Sequence, residues 1–197
     1  ISASESIQYS SADSVDIKVP GVGAHGASPH MGRDPVYIAS QIVTAMQSIV
    51  SREIEPLSPA VITVGAFHSG TKHNIISDRA DLQLTVRAND EATRAQLLAA
   101  IERVAVNIGK AHGLPDATPV EVAVSEGTPV TNNDPALARR LNAVMQRDLG
   151  EDVLVPWQQR GMGAEDFAYF VAEDYGVPGY YFAVGGTPQE AFDAAAN

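Results

Sequence analysis

Cysteine is absent from the 197 residues of the chain, which excludes disulfides and thiolate metal sites within it. Basic residues are scarce, since 13 lysines and arginines stand against 24 aspartates and glutamates, and the formal net charge is −11. Without a basic stripe to replace phosphate counterions, we expect no binding to nucleic acid and none to an anionic membrane surface. A carboxylate ligand is still compatible with this charge, because one local arginine outweighs a distant, diffuse field.

Long apolar runs are absent as well, and none approaches the length of a membrane-spanning helix. The first residue is Ile1 rather than methionine, so an upstream segment, including a signal peptide, is compatible with the sequence. We expect a cytoplasmic protein. Hydrophobic residues make up 45% of the chain and charged residues 19%, a composition typical of domains with a packed core.

The pattern of apolar residues predicts a ferredoxin-like α+β domain over residues 13–126. Alternating apolar positions are typical of strands, and apolar positions at helical spacing behind Asp34 and Asp90, two candidate helix caps, are typical of amphipathic helices. The predicted elements are strand 14–19, helix 34–51, strand 61–67, strand 80–88, helix 90–112 and strand 120–125. This βαββαβ order predicts a four-stranded sheet with two helices on one face.

Residues 127–197 show a different pattern, which predicts part of an α/β domain. The predicted features are helix 135–149, a short strand at 153–155, a glycine-rich turn at 161–163, a helix beginning at 164 and an apolar strand over 180–184. The last of these is apolar throughout, so we expect it to be buried on both faces of a sheet. So few strands do not close a sheet alone, and we interpret this region as a fragment of a larger domain. Residues 1–12 are serine-rich and polar, which is typical of a loop.

His25 is the candidate catalytic residue. It lies in the segment Gly-Ala-His-Gly-Ala, whose small residues leave the imidazole uncovered close to the start of a predicted helix. An imidazole can donate a hydrogen bond to the oxygen of a tetrahedral intermediate, and this is the role we predict. A satisfied or exposed loop histidine is the simpler alternative.

Asn74 and Arg87 are candidate substrate-binding residues at the two ends of one segment. Asn74 precedes two isoleucines, and Arg87 closes an alternating strand. An amide can position a scissile carbonyl, and a guanidinium can bind a carboxylate through two hydrogen bonds. The alternatives are a turn-forming role for the asparagine and a solvated edge position for the arginine.

Gly163 and Glu165 complete the candidate substrate-binding set. A glycine in the turn 161–163 would let a ligand approach the backbone closely, although the turn is too short for a phosphate loop. Glu165 precedes an expected helix, where a carboxylate interacts favourably with the helix dipole. Its functional alternative is to orient a metal ligand or to contact the substrate. We assign no metal ligand to any residue of the chain.

Taken together, these motifs resemble a known enzyme family. The resemblance depends on the segments Gly23–His30 with Asp34–Pro35, Thr63–Gly65, His73–Ile76 with Arg87, Thr131–Asp134 and Gly163–Phe167. The chain resembles the hippurate hydrolase-like branch of the metallo-amidohydrolases, which are relatives of aminoacylase and carboxypeptidase G. The resemblance covers nearly the whole chain, from about residue 13 to residue 186.

The resemblance implies a catalytic α/β domain with two divalent metals, zinc, manganese or similar, interrupted by a ferredoxin-like lid that often dimerises. Residues 13–126 correspond to the lid and 127–197 to the return into the catalytic domain; the family's metal ligands lie outside this chain. His25 is similar to a lid histidine that, in several relatives, reaches the site of the neighbouring subunit. The implied substrate is an N-acyl amino acid or related amide, and the implied partner is a second copy of the chain.

Two functions of different classes follow. The first is one part of a metal-dependent amidohydrolase, in which the metals polarise the amide and activate water. The second is a catalytically inactive lid and dimerisation module, since the metal-ligand cluster lies outside this chain. An unrelated ferredoxin-like sensor is a weaker third alternative, which the region after residue 127 does not support.

Overall fold

The computed structural model describes residues 1–172 and 175–195. The strands are β1 (Ser2–Ala3), β2 (Ile7–Tyr9), β3 (Ala12–Pro20), β4 (Ala24–His25), β5 (Ala60–Ser69), β6 (Ile75–Ile76), β7 (Arg79–Ala88), β8 (Glu121–Thr128), β9 (Thr131–Asn132) and β10 (Val155–Pro156). The helices are α1 (Pro35–Ser48), α2 (Glu91–Ala111), α3 (Pro135–Leu149) and α4 (Gln189–Ala195). A π-helical turn, Ile49–Glu53, continues α1, and short 3₁₀ helices cover Pro29–Met31, Glu151–Val153 and Asp166–Phe170.

The four long strands form one sheet in the order β5-β7-β3-β8. Every neighbouring pair is antiparallel. Chain order is strand, helix, strand, strand, helix, strand, so the predicted βαββαβ arrangement is confirmed. Both helices begin as the sequence predicts, because Asp34 and Asp90 accept hydrogen bonds from backbone N–H groups of the first helical turn.

One face of the sheet and both helices enclose a single apolar core. Burial alternates along β3 and β7, so that every second side chain of these two strands is buried beneath the helices. The fully buried large side chains of this core are Val15, Ile17, Val19, Ile38, Ile42, Met46, Ile49, Leu82, Val86, Leu97 and Ile101. Burial of each such side chain stabilises the fold by about 1.5–3 kcal/mol. The opposite face of the sheet carries the alternate, mostly polar positions.

The region that flanks this sheet contains two further strand pairs. β2 pairs antiparallel with β9, and β1 pairs parallel with β10. The predicted helix 135–149 is confirmed as α3. The predictions for segment 180–184, for residues 1–12 and for the short elements near 155 and 164 were wrong.

The segment 180–184 does not form the predicted buried strand. It makes one isolated bridge, between Ala183 and Ser2, and Val184 is 68% exposed. At Tyr181 the side chain of Asn133 takes the place of a partner strand: it accepts from the Tyr181 N–H (2.6 Å) and donates to the Tyr181 carbonyl (2.9 Å). A side-chain amide can therefore satisfy a backbone unit whose apolar composition alone indicates a strand.

Three smaller predictions also need correction. The polar residues 1–12 are not a plain loop, because they form β1, β2 and the start of β3, and Gln8, Ser10 and Ser11 are buried. The short strand lies at 155–156 rather than 153–155, and the helix expected from 164 is the 3₁₀ helix Asp166–Phe170. No helix in the described part of the chain is long and apolar enough to cross a bilayer.

Candidate active site

His25 and Asn74 lie side by side at one end of the main sheet, and we call them the histidine–asparagine group. His25 ends β4, which pairs antiparallel with β6, and its cross-strand partner is Ile75. The Gly26 N–H donates to the Asn74 carbonyl at 2.8 Å. A Cβ atom at Gly26 would lie only 3.0 Å from that carbonyl oxygen, so the small residue permits the close approach of the two segments.

The imidazole of His25 is exposed and has a defined orientation. The Ala27 N–H donates to its Nδ1 at 3.1 Å. A neutral imidazole whose Nδ1 accepts a hydrogen bond carries its proton on Nε2, which is then the donor available to a ligand. Asn74 is exposed at the same end of the molecule. Both side chains are therefore accessible to a substrate that lies outside this part of the chain.

Arg87 lies at the opposite end of the sheet, near the C-terminal end of β7. Its guanidinium is half-buried; Nε donates to the Thr85 hydroxyl at 3.0 Å and Nη1 to the Met162 carbonyl at 3.3 Å. The second bond connects the main sheet to the glycine-rich turn 161–163. The sequence predicts that Arg87 and this turn belong to one substrate site, and the structure brings them together.

Gly163 is the last residue of that turn and Glu165 follows it closely; with Arg87 they make up what we call the arginine group. The Gly163 carbonyl accepts from the Ser10 N–H at 2.9 Å. The Glu165 side chain does not cap the helix that follows; instead the Tyr181 hydroxyl donates to its Oε2 at 3.5 Å. Burial, and then the negative charge of Glu165, raise the pKa of Tyr181, so the hydroxyl keeps its proton and stays a donor.

The two groups are far apart within one chain. Asn74 precedes Arg79, which begins β7, and Arg87 lies eight residues after Arg79 on the same strand. At a rise of about 3.3 Å per residue, this separates the two ends by roughly 26 Å. One chain therefore does not bring His25, Asn74 and Arg87 around a single small ligand.

The residues present do not form a metal centre. In the ranges 1–172 and 175–195, no group of three or more histidine, aspartate or glutamate side chains is close enough to hold an ion. Two metals of the kind that the family resemblance implies would need at least that many donors. The described residues therefore do not fit the metals, and we assign them no step that involves one.

Three contacts of the site were missed by the sequence interpretation. Thr85 had a usable signal, because residues i and i+2 of a strand share one face and Thr85 is two positions before Arg87. The Met162 carbonyl and the Tyr181 hydroxyl had none, since each reaches its partner through a fold contact between segments distant in sequence.

Comparison of the sequence with known proteins identifies the enzyme family to which the chain belongs. The sequence model of the peptidase dimerisation domain matches residues 10–113, which is more than half of the chain. The hippurate hydrolase of Campylobacter jejuni is 35% identical over 162 residues, which cover 81% of this chain and 41% of that protein. The N-acetyldiaminopimelate deacetylase of Streptococcus pneumoniae is 36% identical over 165 residues, covering 83% of this chain and 42% of that protein. The chain thus spans about two fifths of the length of these relatives.

A solved structure shares the fold of this chain. The Bacillus subtilis protein YXEP, described as a dinuclear metal binding peptidase from the M20 family, superposes with a TM-score of 0.68 at 23% identity. The match covers 91% of this chain and 42% of that one, and at this identity it shows the fold alone. The resemblance to hippurate hydrolase-like amidohydrolases is confirmed by the sequence relatives. The chain belongs to the M20 family of peptidases, and residues 10–113 carry its dimerisation domain.

Proposed function

We propose that this chain forms the lid (13–126) and the returning catalytic segment (127–197) of a metal-dependent hydrolase. The proposed reaction is cleavage of the amide bond of an N-acyl amino acid or a related amide. Two relatives are named for such substrates, a hippurate hydrolase and an N-acetyldiaminopimelate deacetylase. The two metals would be held by residues outside this chain, and zinc and manganese are the candidates.

The observation that carries the proposal is that the histidine–asparagine group and the arginine group occupy opposite ends of one sheet. A single site that used both groups would need two copies of the chain. Strand β5 could join two copies, because it lies at the edge of the sheet and, within the described residues, only β7 pairs with it. Its ten residues include no lysine, arginine, aspartate or glutamate, and charged residues are a common protection of edge strands against pairing.

A twofold axis beside β5 would bring the two groups together. In an antiparallel pair of β5 strands, the Ser69 end of one copy faces the Ala60 end of the other. Val61 pairs with Arg87 across β5 and β7, so the Ala60 end is the arginine end. The Ser69 end leads into the loop that carries Asn74. The histidine–asparagine group of one copy would then lie at the same end of the joined sheet as the arginine group of its partner.

The chemistry of the three side chains fits amide hydrolysis. The Nε2–H of His25 would donate to the oxygen of the tetrahedral intermediate, where negative charge develops. The Asn74 amide would position the scissile carbonyl group. Arg87 would bind the free carboxylate of the amino-acid moiety through charge-assisted hydrogen bonds. Gly163 would let the substrate approach the backbone, and Glu165 would contact it while held by Tyr181.

Kinetics of single variants test these roles in a protein that joins this chain to the metal-binding part found in its relatives. We expect His25→Ala mainly to lower kcat, because it removes an interaction made only in the transition state. We expect Arg87→Ala mainly to raise KM for substrates with a free carboxylate. Near-wild-type kinetics in both variants would disprove the assigned roles.

A mixing experiment tests whether one site is built from two copies. His25→Ala and Arg87→Ala chains are unfolded, mixed in equal amounts and refolded together. If the groups come from different copies, each mixed dimer has one intact site, and random pairing restores about a quarter of wild-type activity. If both groups act within one copy, the mixture stays as inactive as either variant alone. The unmixed variants, refolded in the same way, are the controls.

A second candidate is a catalytically inactive dimerisation module. The absence of a potential metal-binding group from the described residues favours it for this chain on its own. Metal content and amide hydrolysis of the 197-residue chain, compared with a version extended at both ends, separate the two functions. Hydrolysis by the short chain would contradict the assignment of the metal ligands to other residues.

A further inference from the structure

The guanidinium of Arg87 is held in place by two fixed acceptors. Its Nε donates to Thr85 Oγ1 at 3.0 Å, and its Nη1 donates to the Met162 carbonyl at 3.3 Å. An arginine has five N–H donors in a planar fork. These contacts use the Nε hydrogen and one Nη1 hydrogen, and they leave both hydrogens of Nη2 and one of Nη1 for a ligand.

This occupancy restricts how a carboxylate can bind. A carboxylate can approach a guanidinium through its Nε and Nη2 hydrogens or through its two terminal nitrogens. Thr85 already occupies Nε, so the first approach is closed while that hydrogen bond lasts. The threonine hydroxyl thereby also fixes the plane of the guanidinium relative to β7, since both residues lie on the same face of the strand.

We propose that Thr85 is a positioning residue for substrate binding: by holding Nε, it presents the terminal nitrogens of Arg87, Nη2 above all, to the carboxylate of the substrate. The inference rests on the proposed function, in which Arg87 binds that carboxylate. It adds a specificity determinant that lies two residues from the arginine and does not touch the substrate itself. It also predicts that the carboxylate lies beyond the tip of the arginine, on the side away from Thr85.

The test uses Thr85→Val in the catalytically complete protein, because valine has the shape and strand preference of threonine but lacks the hydroxyl. Thr85→Ser keeps the hydroxyl and is the rescue variant. Ser14 on β3 is the cross-strand partner of Thr85, and Ser14→Ala, which also removes a hydroxyl, is the matched control. Each variant is assayed with a carboxylate substrate and with the same substrate converted to a primary amide.

We expect Thr85→Val to raise KM for the carboxylate substrate roughly three- to tenfold, because the guanidinium then has to be immobilised on binding, with kcat nearly unchanged. KM for the amide substrate should not change, Thr85→Ser should restore the wild-type value, and Ser14→Ala should have no effect. In an Arg87→Ala background, Thr85→Val should cause no further increase. This non-additivity separates positioning from a general effect on folding.

The possible failures are distinguishable. If Arg87→Ala leaves the preference for the carboxylate substrate unchanged, the proposed function of Arg87 is wrong, and the inference falls with it. If Arg87→Ala abolishes that preference and Thr85→Val does not weaken it, only the positioning role is wrong. An equal rise of KM for both substrates in Thr85→Val would likewise overturn the positioning role.

Discussion

The buried ion pair between Asp13 and Arg94 connects the first long strand to the second helix, and its removal should destabilise the whole chain. Asp13 lies on β3 with a fully buried side chain; it accepts from Arg94 Nε at 2.8 Å and from Nη2 at 2.7 Å. Glu91 accepts from the same guanidinium at 3.0 Å, and also from the Val130 N–H at 2.9 Å. The hydrogen bonds that Arg94 donates to Asp13 and then to Glu91 raise the pKa of Arg94 above its usual range, despite the opposing effect of burial.

The expected magnitude follows from the burial of the two partners. Removal of one partner of a fully buried ion pair costs about 3–5 kcal/mol, because the other charge is left unpaired. The Arg94 side chain is 18% exposed and keeps its contact with Glu91. We therefore expect Asp13→Asn to lower the free energy of unfolding by about 3 kcal/mol, the lower end of that range.

Urea unfolding followed by circular dichroism and by the fluorescence of Trp157, the single tryptophan, measures this change. The control is Asp81→Asn, which breaks an ion pair with Arg79 whose side chain is 63% exposed, and it should cost at most about 0.5 kcal/mol. Equal losses in the two variants would refute the reasoning. A Cβ at residue 127 would lie 2.6 Å from Asp13 Oδ1, so Gly127→Ala should disturb the ion pair. A wild-type stability of this variant would also refute the reasoning.

Two further predictions concern buried groups elsewhere. Asn133→Ala should lower the free energy of unfolding by at least about 3 kcal/mol, because both backbone groups of Tyr181 and the Ser4 carbonyl lose a partner; urea unfolding measures it, and a wild-type midpoint would contradict it. Met46→Ala should cost about 3 kcal/mol through the cavity it leaves in the core. Met31→Ala, at a side chain that is 69% exposed, should change the thermal midpoint far less, and equal shifts would rule out the cavity explanation.

The main sheet could be predicted from the sequence because local signals determine it. Strict alternation in β3 and β7, and aspartate caps before α1 and α2, are contained in short windows of residues. The segment 180–184 could not be predicted in the same way. Its apolar residues suit a strand, but the backbone of Tyr181 bonds to the side chain of Asn133 and that of Ala183 to the backbone of Ser2, and both partners are distant in sequence. Apolar composition gives no information about which partner the backbone finds.

Part of the candidate site could likewise be predicted from the sequence, and part could not. The sequence singled out His25, Asn74 and Arg87 through their residue types and through the family resemblance, and their roles are still predictions. It did not reveal that Asn74 lies before the start of β7 and Arg87 near its far end, because the thirteen positions that separate them include a turn and a strand whose direction only the fold defines. The Thr85 contact could have been predicted, because residues i and i+2 of a strand lie on the same face.

The rigidity of the sheet makes the second copy a requirement of the proposed site rather than an accessory. β7 is hydrogen-bonded on both sides, by β5 and β3, so its two ends keep their separation of roughly 26 Å. A hinge movement of the whole sheet would move His25 and Arg87 together and would not bring them closer. If the site is shared between copies, dilution should therefore abolish hydrolysis as the dimer dissociates, while circular dichroism still shows folded chains. A specific activity that is independent of concentration, in protein shown by sedimentation to be monomeric, would contradict a site built from two copies.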